Sequence, residues 1–191
     1  MGEKRWEHFP HEADIGVRGI GASPAEAFEQ AALALTGMIT DPASVRSDEV
    51  TELSCEALDV ELLLAEWLNA LVYEMATRKL LFARLEVQIA EHQLRAKAWG
   101  EQVNLHRHQP AVEVKGATYT ALAVQQTDDG GWLAQCVEGR YGTHEDLDRI
   151  EERGCMAGAM PGQVSAHAKR RQQDEGHPWV GESLRGSPGG T

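Results

Sequence analysis

Residues 59–79, DVELLLAEWLNALVYEMATRK, form the stretch from which the fold can be read most directly. Asp59 can cap a helix, and Arg78 and Lys79 suit the negative end of its dipole. Apolar side chains recur at helical spacing and make one broad face, namely Val60, Leu63, Leu64, Trp67, Leu68, Leu71, Val72 and Met75. The stretch therefore predicts a long amphipathic helix that packs on a core.

A second helix is predicted upstream, in residues 21–39, GASPAEAFEQAALALTGMI. Ser23 and Glu26 form a capping box, and Pro24 occupies the first helical position. Apolar residues follow at helical spacing, namely Phe28, Ala31, Ala32, Leu35, Met38 and Ile39. This segment predicts a helix that packs one face on the same core.

Strand patterns surround both helices. Ile15 and Val17 alternate with polar or small residues, as one buried face requires. Further strand candidates are Val50 to about Leu58, 81–89, 94–100, 111–126 with Gly116 as a bulge, and 132–138 after a turn at 128–131. The order β-α-β-α followed by a run of antiparallel strands predicts the α+β class.

Composition narrows the class of protein. The chain of 191 residues is 42% hydrophobic, which supports a domain with a real core, and no apolar run is long enough to span a membrane. The amino terminus has no secretory signal, and three widely spaced cysteines argue against a disulfide framework. A reducing cytoplasm is the expected compartment.

The net charge of −12 is concentrated in residues 1–138, which carry 22 Asp and Glu against 11 Lys and Arg. Such an acidic body repels phosphate backbones, so direct nucleic-acid binding is not expected. A basic protein partner or a metal ion is favoured instead.

A boundary is predicted near Gly139. Residues 139–191 contain 10 of the 19 glycines, and only 143–153 has a helical pattern. We therefore expect a first domain at 1–138, followed by an atypical, mobile, glycine-rich tail at 139–191.

Asp14 is the first candidate for chemistry. It stands in HEADIGVRG, residues 11–19, directly before an apolar strand pair, where an uncompensated carboxylate would be costly to bury. A carboxylate at a strand end can combine with another carboxylate and with backbone carbonyls to hold Ca²⁺ or Mg²⁺. An ordinary turn or ion-pair aspartate is the alternative.

Other polar residues offer weaker signals. His106 and His108 would share a strand face if that stretch is extended, and could bind a transition metal or simply lie at the edge of the core. Lys115 lies in an otherwise apolar strand and needs a partner or an exposed edge, which lysines commonly protect. Thr118 and Tyr119 could hydrogen-bond nearby or merely fill strand positions.

The parts of an enzyme are missing from the sequence. No glycine-rich phosphate loop, G-x-S-x-G or H-E-x-x-H motif is present. Cys55 and Cys136 fall in strand patterns and are expected to be buried fillers rather than nucleophiles. The acidic run from Glu49 to Asp59 is most simply a solvated face. Because no nucleophile, base and oxyanion hole assemble, a small hydrolase that uses the carboxylates is disfavoured.

Several of these segments, taken in order, resemble the archease family over residues 6 to about 137. The most specific are H-x-A-D-I at 11–15, LL-x-x-WLN at 63–69 and K-x-x-T-Y at 115–119, with GE at 100–101 and GGWLAQCV at 130–137 in support. The resemblance implies a two-layer sandwich of a mostly antiparallel sheet with two main helices. It also implies an accessory protein rather than a stand-alone enzyme.

The function implied by the resemblance is activation of an RtcB-type tRNA-splicing RNA ligase. This ligase joins 2′,3′-cyclic-phosphate or 3′-phosphate RNA ends to 5′-hydroxyl ends with GTP. The resemblance implies that the accessory protein promotes guanylylation of the ligase histidine, restores multiple turnover, and can broaden nucleotide use. It further implies a divalent metal at Asp14, most often Ca²⁺, with Mg²⁺ or Mn²⁺ as alternatives. Lys115, Thr118 and Tyr119 would then contact phosphate or the partner.

The end of the matching region departs from the family pattern. Family chains typically close with an apolar stretch, an aspartate that is the second metal carboxylate, and one more residue, and the aspartate's position here is Gly139. Glu138 comes one residue early, so strand alternation would point it to the opposite face. The site is therefore incomplete, rebuilt by Glu138, or shifted in register. His11 and Glu12 are the other candidates for an additional metal or activation site.

Two wider hypotheses complete the interpretation. Residues 142–162 resemble the opening of the partner ligase, so a frame slip or read-through could have appended the tail. The alternative function is a chaperone or scaffold for RNA-processing enzymes, with no metal role.

Overall fold

The computed structural model describes residues 4–12 and 14–141 of the chain. The predicted tail therefore lies almost wholly outside the described residues, as do the helical pattern at 143–153 and the segment compared with the ligase. Within the described part, none of the helices is both long and apolar enough to cross a membrane.

Both long helices form where they were predicted. Helix α1 (Pro24–Ile39) begins after Ser23, whose hydroxyl accepts from the amide of Glu26 at 3.2 Å. Helix α2 (Val60–Arg78) begins after Asp59, whose carboxylate accepts from the amide of Leu62 at 2.8 Å. A third, short helix, α3, spans Leu105–His108.

Eight strands in the described part of the chain build two separate antiparallel sheets. They are β1 (Arg5–His11), β2 (Asp14–Gly21), β3 (Glu49–Glu56), β4 (Leu80–Ala90), β5 (Gln93–Gln102), β6 (Glu113–Ala117), β7 (Ala123–Gln126) and β8 (Trp132–Tyr141). The first sheet has the order β1-β2-β8-β6, with β7 also on β8, and the second has the order β3-β5-β4. The α+β class is confirmed, with the strands divided between two sheets.

The core lies between the helices and the sheets. Phe28 and Leu35 of α1, together with Trp67 and Leu68 of α2, are fully buried. The Trp67 indole also donates to the carbonyl of Phe28 at 3.3 Å, which ties the two helices together. Helix α1 lies so close to β2 that a Cβ atom on Gly19 would stand 2.0 Å from the carbonyl oxygen of Ala27. Only glycine can occupy that position without moving the helix.

The long strand predicted over 111–126 is wrong as a single element. Gly116 marks the expected bulge, but the chain then leaves the sheet between β6 and β7. The Thr118 hydroxyl donates to the carbonyl of Val137 at 2.8 Å, and Ala121 takes a left-handed φ of 50°. These local hydrogen bonds offer the backbone an alternative to strand pairing.

Strand β1 was not predicted. Its buried positions include Glu7 and His11, so the alternation of apolar and polar residues that signals a strand is absent there. The strand forms because it pairs along its whole length with β2, from Arg5 opposite Ile20 to His11 opposite Asp14.

Candidate functional site

Asp14 is the first residue of β2, immediately after the hairpin turn that follows β1. It pairs directly with His11, the last residue of β1, so the two side chains share one face of the hairpin. The His11 side chain is buried, with the residue only 5% exposed, whereas Asp14 is half-buried. Glu12 lies in the turn with a left-handed φ of 51° and is exposed. His11, Glu12 and Asp14 are therefore brought together at this end of the sheet.

The strand register places Gly139 beside Asp14. In the pairing of β2 with β8, Ile15 stands opposite Glu138, and continuing this register by one residue brings Asp14 opposite Gly139. On its other side Gly139 pairs with Gly116 of β6. A Cβ atom added to Gly139 would lie 3.6 Å from the Cβ of Lys115, an ordinary contact. Across the sheet, Asp14 on β2 is therefore followed by Gly139 on β8, which has no side chain, and then by Lys115 on β6. We call these three positions the Asp14 row.

Glu138 lies on the other face of the sheet. It is fully buried opposite Ile15, and its Oε1 atom accepts from the thiol of Cys136 at 3.3 Å. Among the described residues its Oε2 atom has no hydrogen-bond partner. Burial raises the pKa of Glu138 to about 7. Because neighbouring residues of a strand point to opposite faces, Glu138 cannot replace a carboxylate missing at Gly139.

The described residues do not fit a self-sufficient calcium site. Calcium takes six to eight oxygen ligands, usually including several carboxylates. Here Asp14 faces a buried imidazole on one side and a glycine on the other. Within residues 4–12 and 14–141, no group of three or more His, Cys, Asp or Glu side chains is placed to hold a metal ion.

Lys115 and Thr118 lie at the β6 end of the Asp14 row. Lys115 is exposed on β6, which is the terminal strand of its sheet. The backbone amide and the hydroxyl of Thr118 both donate to the carbonyl of Val137, so this residue fastens the loop after β6 to β8. Tyr119 is half-buried in the turn that follows. Lys115 is therefore exposed enough to contact a partner protein, whereas Thr118 holds the loop after β6 against β8.

Asn69 is a residue whose role the sequence did not disclose. It stands on α2, and its side-chain oxygen accepts from the backbone amide of Ala117 at 3.0 Å. The same oxygen would lie 2.7 Å from a Cβ atom on Gly116, whose φ is 147°. Asn69 thus holds the β6 bulge that carries Lys115. The sequence signal was its place as the last residue of the LL-x-x-WLN motif, beside the apolar face of α2.

The histidine pair is not a metal site. His106 and His108 lie on the short helix α3 rather than on a strand, so the extended geometry on which the hypothesis depended is wrong. The His108 ring is buried, with Nδ1 accepting from the amide of Asn104 at 2.9 Å and Nε2 lying 3.3 Å from Glu101. His106 is exposed. The Asn104 cap favours the helical turn over a strand.

Neither described cysteine has the features of a nucleophile. Burial, followed by the charge of Glu66, raises the pKa of Cys55 to about 11. Cys136 is fully buried, and burial together with Glu138 raises the pKa of its thiol well above the ordinary value. Reactive cysteines have lowered pKa values, so both behave as the expected fillers.

Comparison with known proteins gives one consistent family. A family model described as "Archease protein family (MTH1598/TM1083)" matches residues 6–138. Curated relatives called "Protein archease" include one from Pyrococcus abyssi, 41% identical over 70% of this chain and 97% of its own length. Another, from Thermococcus gammatolerans, is 39% identical with the same coverage of both chains.

A solved structure agrees with these matches. The solution structure of Methanobacterium thermoautotrophicum protein 1598 superposes with a TM-score of 0.57 and 26% sequence identity. The match covers 69% of this chain and 96% of that one. The similarity thus extends over nearly all of the solved chain, whereas about 30% of the present chain falls outside it.

Proposed function

The chain belongs to the archease family, and from this premise we propose that it activates an RtcB-type tRNA-splicing RNA ligase. In this proposal it is not itself an enzyme, but promotes guanylylation of the ligase, supports multiple turnover, and broadens the nucleotides that the ligase accepts. The observation that supports it most is the placement of Asp14, half-buried at the end of a hairpin inside the matched region. A cytoplasmic location fits the free thiols of Cys55 and Cys136.

The row formed by Asp14 on β2, Gly139 on β8 and Lys115 on β6 suggests how this end of the sheet contacts the ligase. Neighbouring strands are about 4.8 Å apart, so Asp14 and β6 are separated by about 10 Å, with Gly139 between them. Gly139 has no side chain of its own, and the Lys115 side chain passes 3.6 Å from the position of the missing Cβ atom, so a group of the ligase would reach Asp14 over Gly139 beside Lys115. Asp14 would then accept hydrogen bonds from that group, and Lys115 would donate to a phosphate or carboxylate beside it.

A multiple-turnover ligation assay tests the proposal. The cognate ligase, GTP, a divalent metal and RNA with 3′-phosphate and 5′-hydroxyl ends are mixed with and without this protein. We expect the wild-type chain to restore turnover and Asp14→Ala to abolish the stimulation, because the variant loses the carboxylate that meets the ligase. The far-ultraviolet circular dichroism of the variant should be unchanged, since Asp14 is only half-buried.

The matched control is Asp128→Ala, which removes an exposed carboxylate from the loop at the opposite end of β8. This variant should stimulate as well as the wild type. Full stimulation by Asp14→Ala would contradict the proposed role of the site. Failure of the wild-type chain to stimulate, with protection of an unrelated aggregating client, would favour the chaperone or scaffold alternative.

Divalent-metal binding is proposed to need a second carboxylate at position 139. Gly139→Asp should create it, because the added Cβ atom makes only ordinary contacts and the new side chain lies beside Asp14. By calorimetric titration with Ca²⁺, and with Mg²⁺ and Mn²⁺ for comparison, we expect binding at least about tenfold tighter than by the wild-type chain.

The matched control for this gain is Gly139→Asn, which has nearly the same size without the charge. It should bind metal no better than the wild type. Equal binding by the asparagine variant, or full binding by the double variant that also carries Asp14→Ala, would show that the two carboxylates do not form the site.

A further inference from the structure

One edge of the three-stranded sheet is open. Strand β3 is the terminal strand, and no strand in the described part of the chain pairs with its outer side. An edge strand presents unpaired amide and carbonyl groups at alternate residues, which can hydrogen-bond to an added strand. Two of the most exposed large apolar residues flank this edge, with Val50 50% exposed and Leu58 87% exposed.

The opposite edge of the same sheet is covered. The Thr36 hydroxyl on α1 donates to the carbonyl of Phe82 at 2.8 Å, and the Glu29 carboxylate accepts from the amide of Val87 at 3.0 Å. Phe82 and Val87 both belong to β4, so side chains of α1 satisfy backbone groups along that edge. The fold protects β4 and leaves β3 accessible.

The open edge is strongly acidic. Residues 48–59 contain five carboxylates and neither lysine nor arginine, the five being Asp48, Glu49, Glu52, Glu56 and Asp59. Two of them have basic neighbours, since Lys97 lies 3.4 Å from Glu52 and Arg78 lies 3.8 Å from Glu49. On α2, Glu66 is near enough to raise the pKa of Cys55, which adds a further carboxylate beside β3. The surplus negative charge opposes pairing of this edge with a second copy of itself.

The two faces of β3 differ in character. Glu52 and Glu56 lie on the exposed face, where they stand opposite Lys97 and Gln93 of β5. Leu53 and Cys55 lie on the other face and are only partly buried, although they pack against the core. A strand added beside β3 would therefore place alternate side chains next to carboxylates and next to apolar surface.

We propose that β3 binds, as a fourth antiparallel or parallel strand, an extended segment of a partner protein in which basic and apolar residues alternate. The backbone groups of the open edge supply the affinity. Glu52 and Glu56 on one face, with Leu53 and Cys55 on the other, select the pattern. This surface is separate from the row that contains Asp14, so the inference goes beyond the proposed ligase activation and does not depend on it.

The test uses a fluorescein-labelled octapeptide of alternating lysine and valine, titrated with the full chain and followed by fluorescence anisotropy. Binding should be saturable, and amide hydrogen exchange of β3 should slow in the complex. The double variant Glu52→Lys with Glu56→Lys should weaken binding at least about tenfold, because each substitution replaces an opposite-charge pair across strands with a like-charge pair. The same peptide with a central proline should not bind, since proline interrupts strand pairing.

The matched control is Glu86→Lys, which makes the same change on the same exposed face but on β4. It should keep binding within about twofold of the wild type. Equal binding by the proline peptide, or an equal loss in Glu86→Lys, would overturn the proposal in favour of unspecific charge attraction. A concentration-dependent dimer in sedimentation that disappears in the Glu52→Lys, Glu56→Lys variant would overturn it in favour of a second copy.

Discussion

Between pH 4.5 and 8 the wild-type chain is expected to become less stable as the buried Glu138 ionises. Replacing Glu138 with glutamine should prevent this loss. The folded protein holds the pKa of Glu138 at about 7, whereas the ordinary value is 4.5. Between these values the folded state binds more protons than the unfolded state, so its free energy of unfolding falls as the pH rises. Above the folded pKa, the buried charge has cost about 3 kcal/mol.

Urea denaturation of the full chain at pH 4.5 and at pH 8 measures this difference. Glutamine has the shape of glutamate without a titrating proton, so Glu138→Gln should lose about 3 kcal/mol less than the wild type over this interval. At the lower pH the two proteins should be similar, because half of the carboxylate or more is already neutral in either state of the wild type. The remaining titrating groups are common to both chains and cancel in the comparison. Equal losses of stability would show that Glu138 does not titrate in this range.

Gly19→Ala is expected to destabilise the fold strongly. The new Cβ atom would stand 2.0 Å from the Ala27 carbonyl oxygen and 2.2 Å from the Ala31 amide nitrogen. Both are backbone atoms of α1, so the whole helix must move away from β2. Overpacking of this kind typically costs 1–3 kcal/mol, and a backbone contact this short should bring the loss to about 3 kcal/mol or more.

The control is Gly139→Ala, the same substitution on β8, the neighbouring strand of the same sheet. Its Cβ atom would have its nearest neighbour at 3.6 Å, so the free energy of unfolding should change by less than about 1 kcal/mol. Thermal and urea denaturation of both variants would decide the matter. If Gly19→Ala were as stable as Gly139→Ala, the close approach of α1 to β2 would be wrong.

The parts of the fold that could be predicted are those in which apolar residues recur regularly within one helix or strand. The helix expected over 59–79 is observed at Val60–Arg78, and the strand expected at 81–89 is observed at Leu80–Ala90. In both elements the buried side chains recur with the period of a helix or of a strand, so the apolar residues alone predict the element. The archease resemblance and the α+β class are also confirmed, and of the quoted motifs LL-x-x-WLN lies on α2.

The parts that could not be predicted depend on pairing or on hydrogen bonds between distant residues. Strand β1 carries buried Glu7 and His11 and becomes recognisable only through its pairing with β2. The stretch 111–126 looks continuous until Thr118 binds the carbonyl of Val137. For the candidate site, alternation alone correctly placed Glu138 and position 139 on opposite faces. The metal role of Asp14 and the contacts of Lys115 remain predictions.

The hydrogen bond from the amide of Ala117 to Asn69 joins the middle of α2 to the end of β6. At its carboxyl end the same helix contacts β3, where Arg78 donates to the hydroxyl of Thr51 at 3.2 Å. Helix α2 therefore contacts both β3, which forms the open strand edge, and the bulge that carries Lys115. Because Asn69 lies in the middle of α2 and Arg78 in its last turn, a substitution that shifts this helix is expected to disturb the open strand edge and the bulge together.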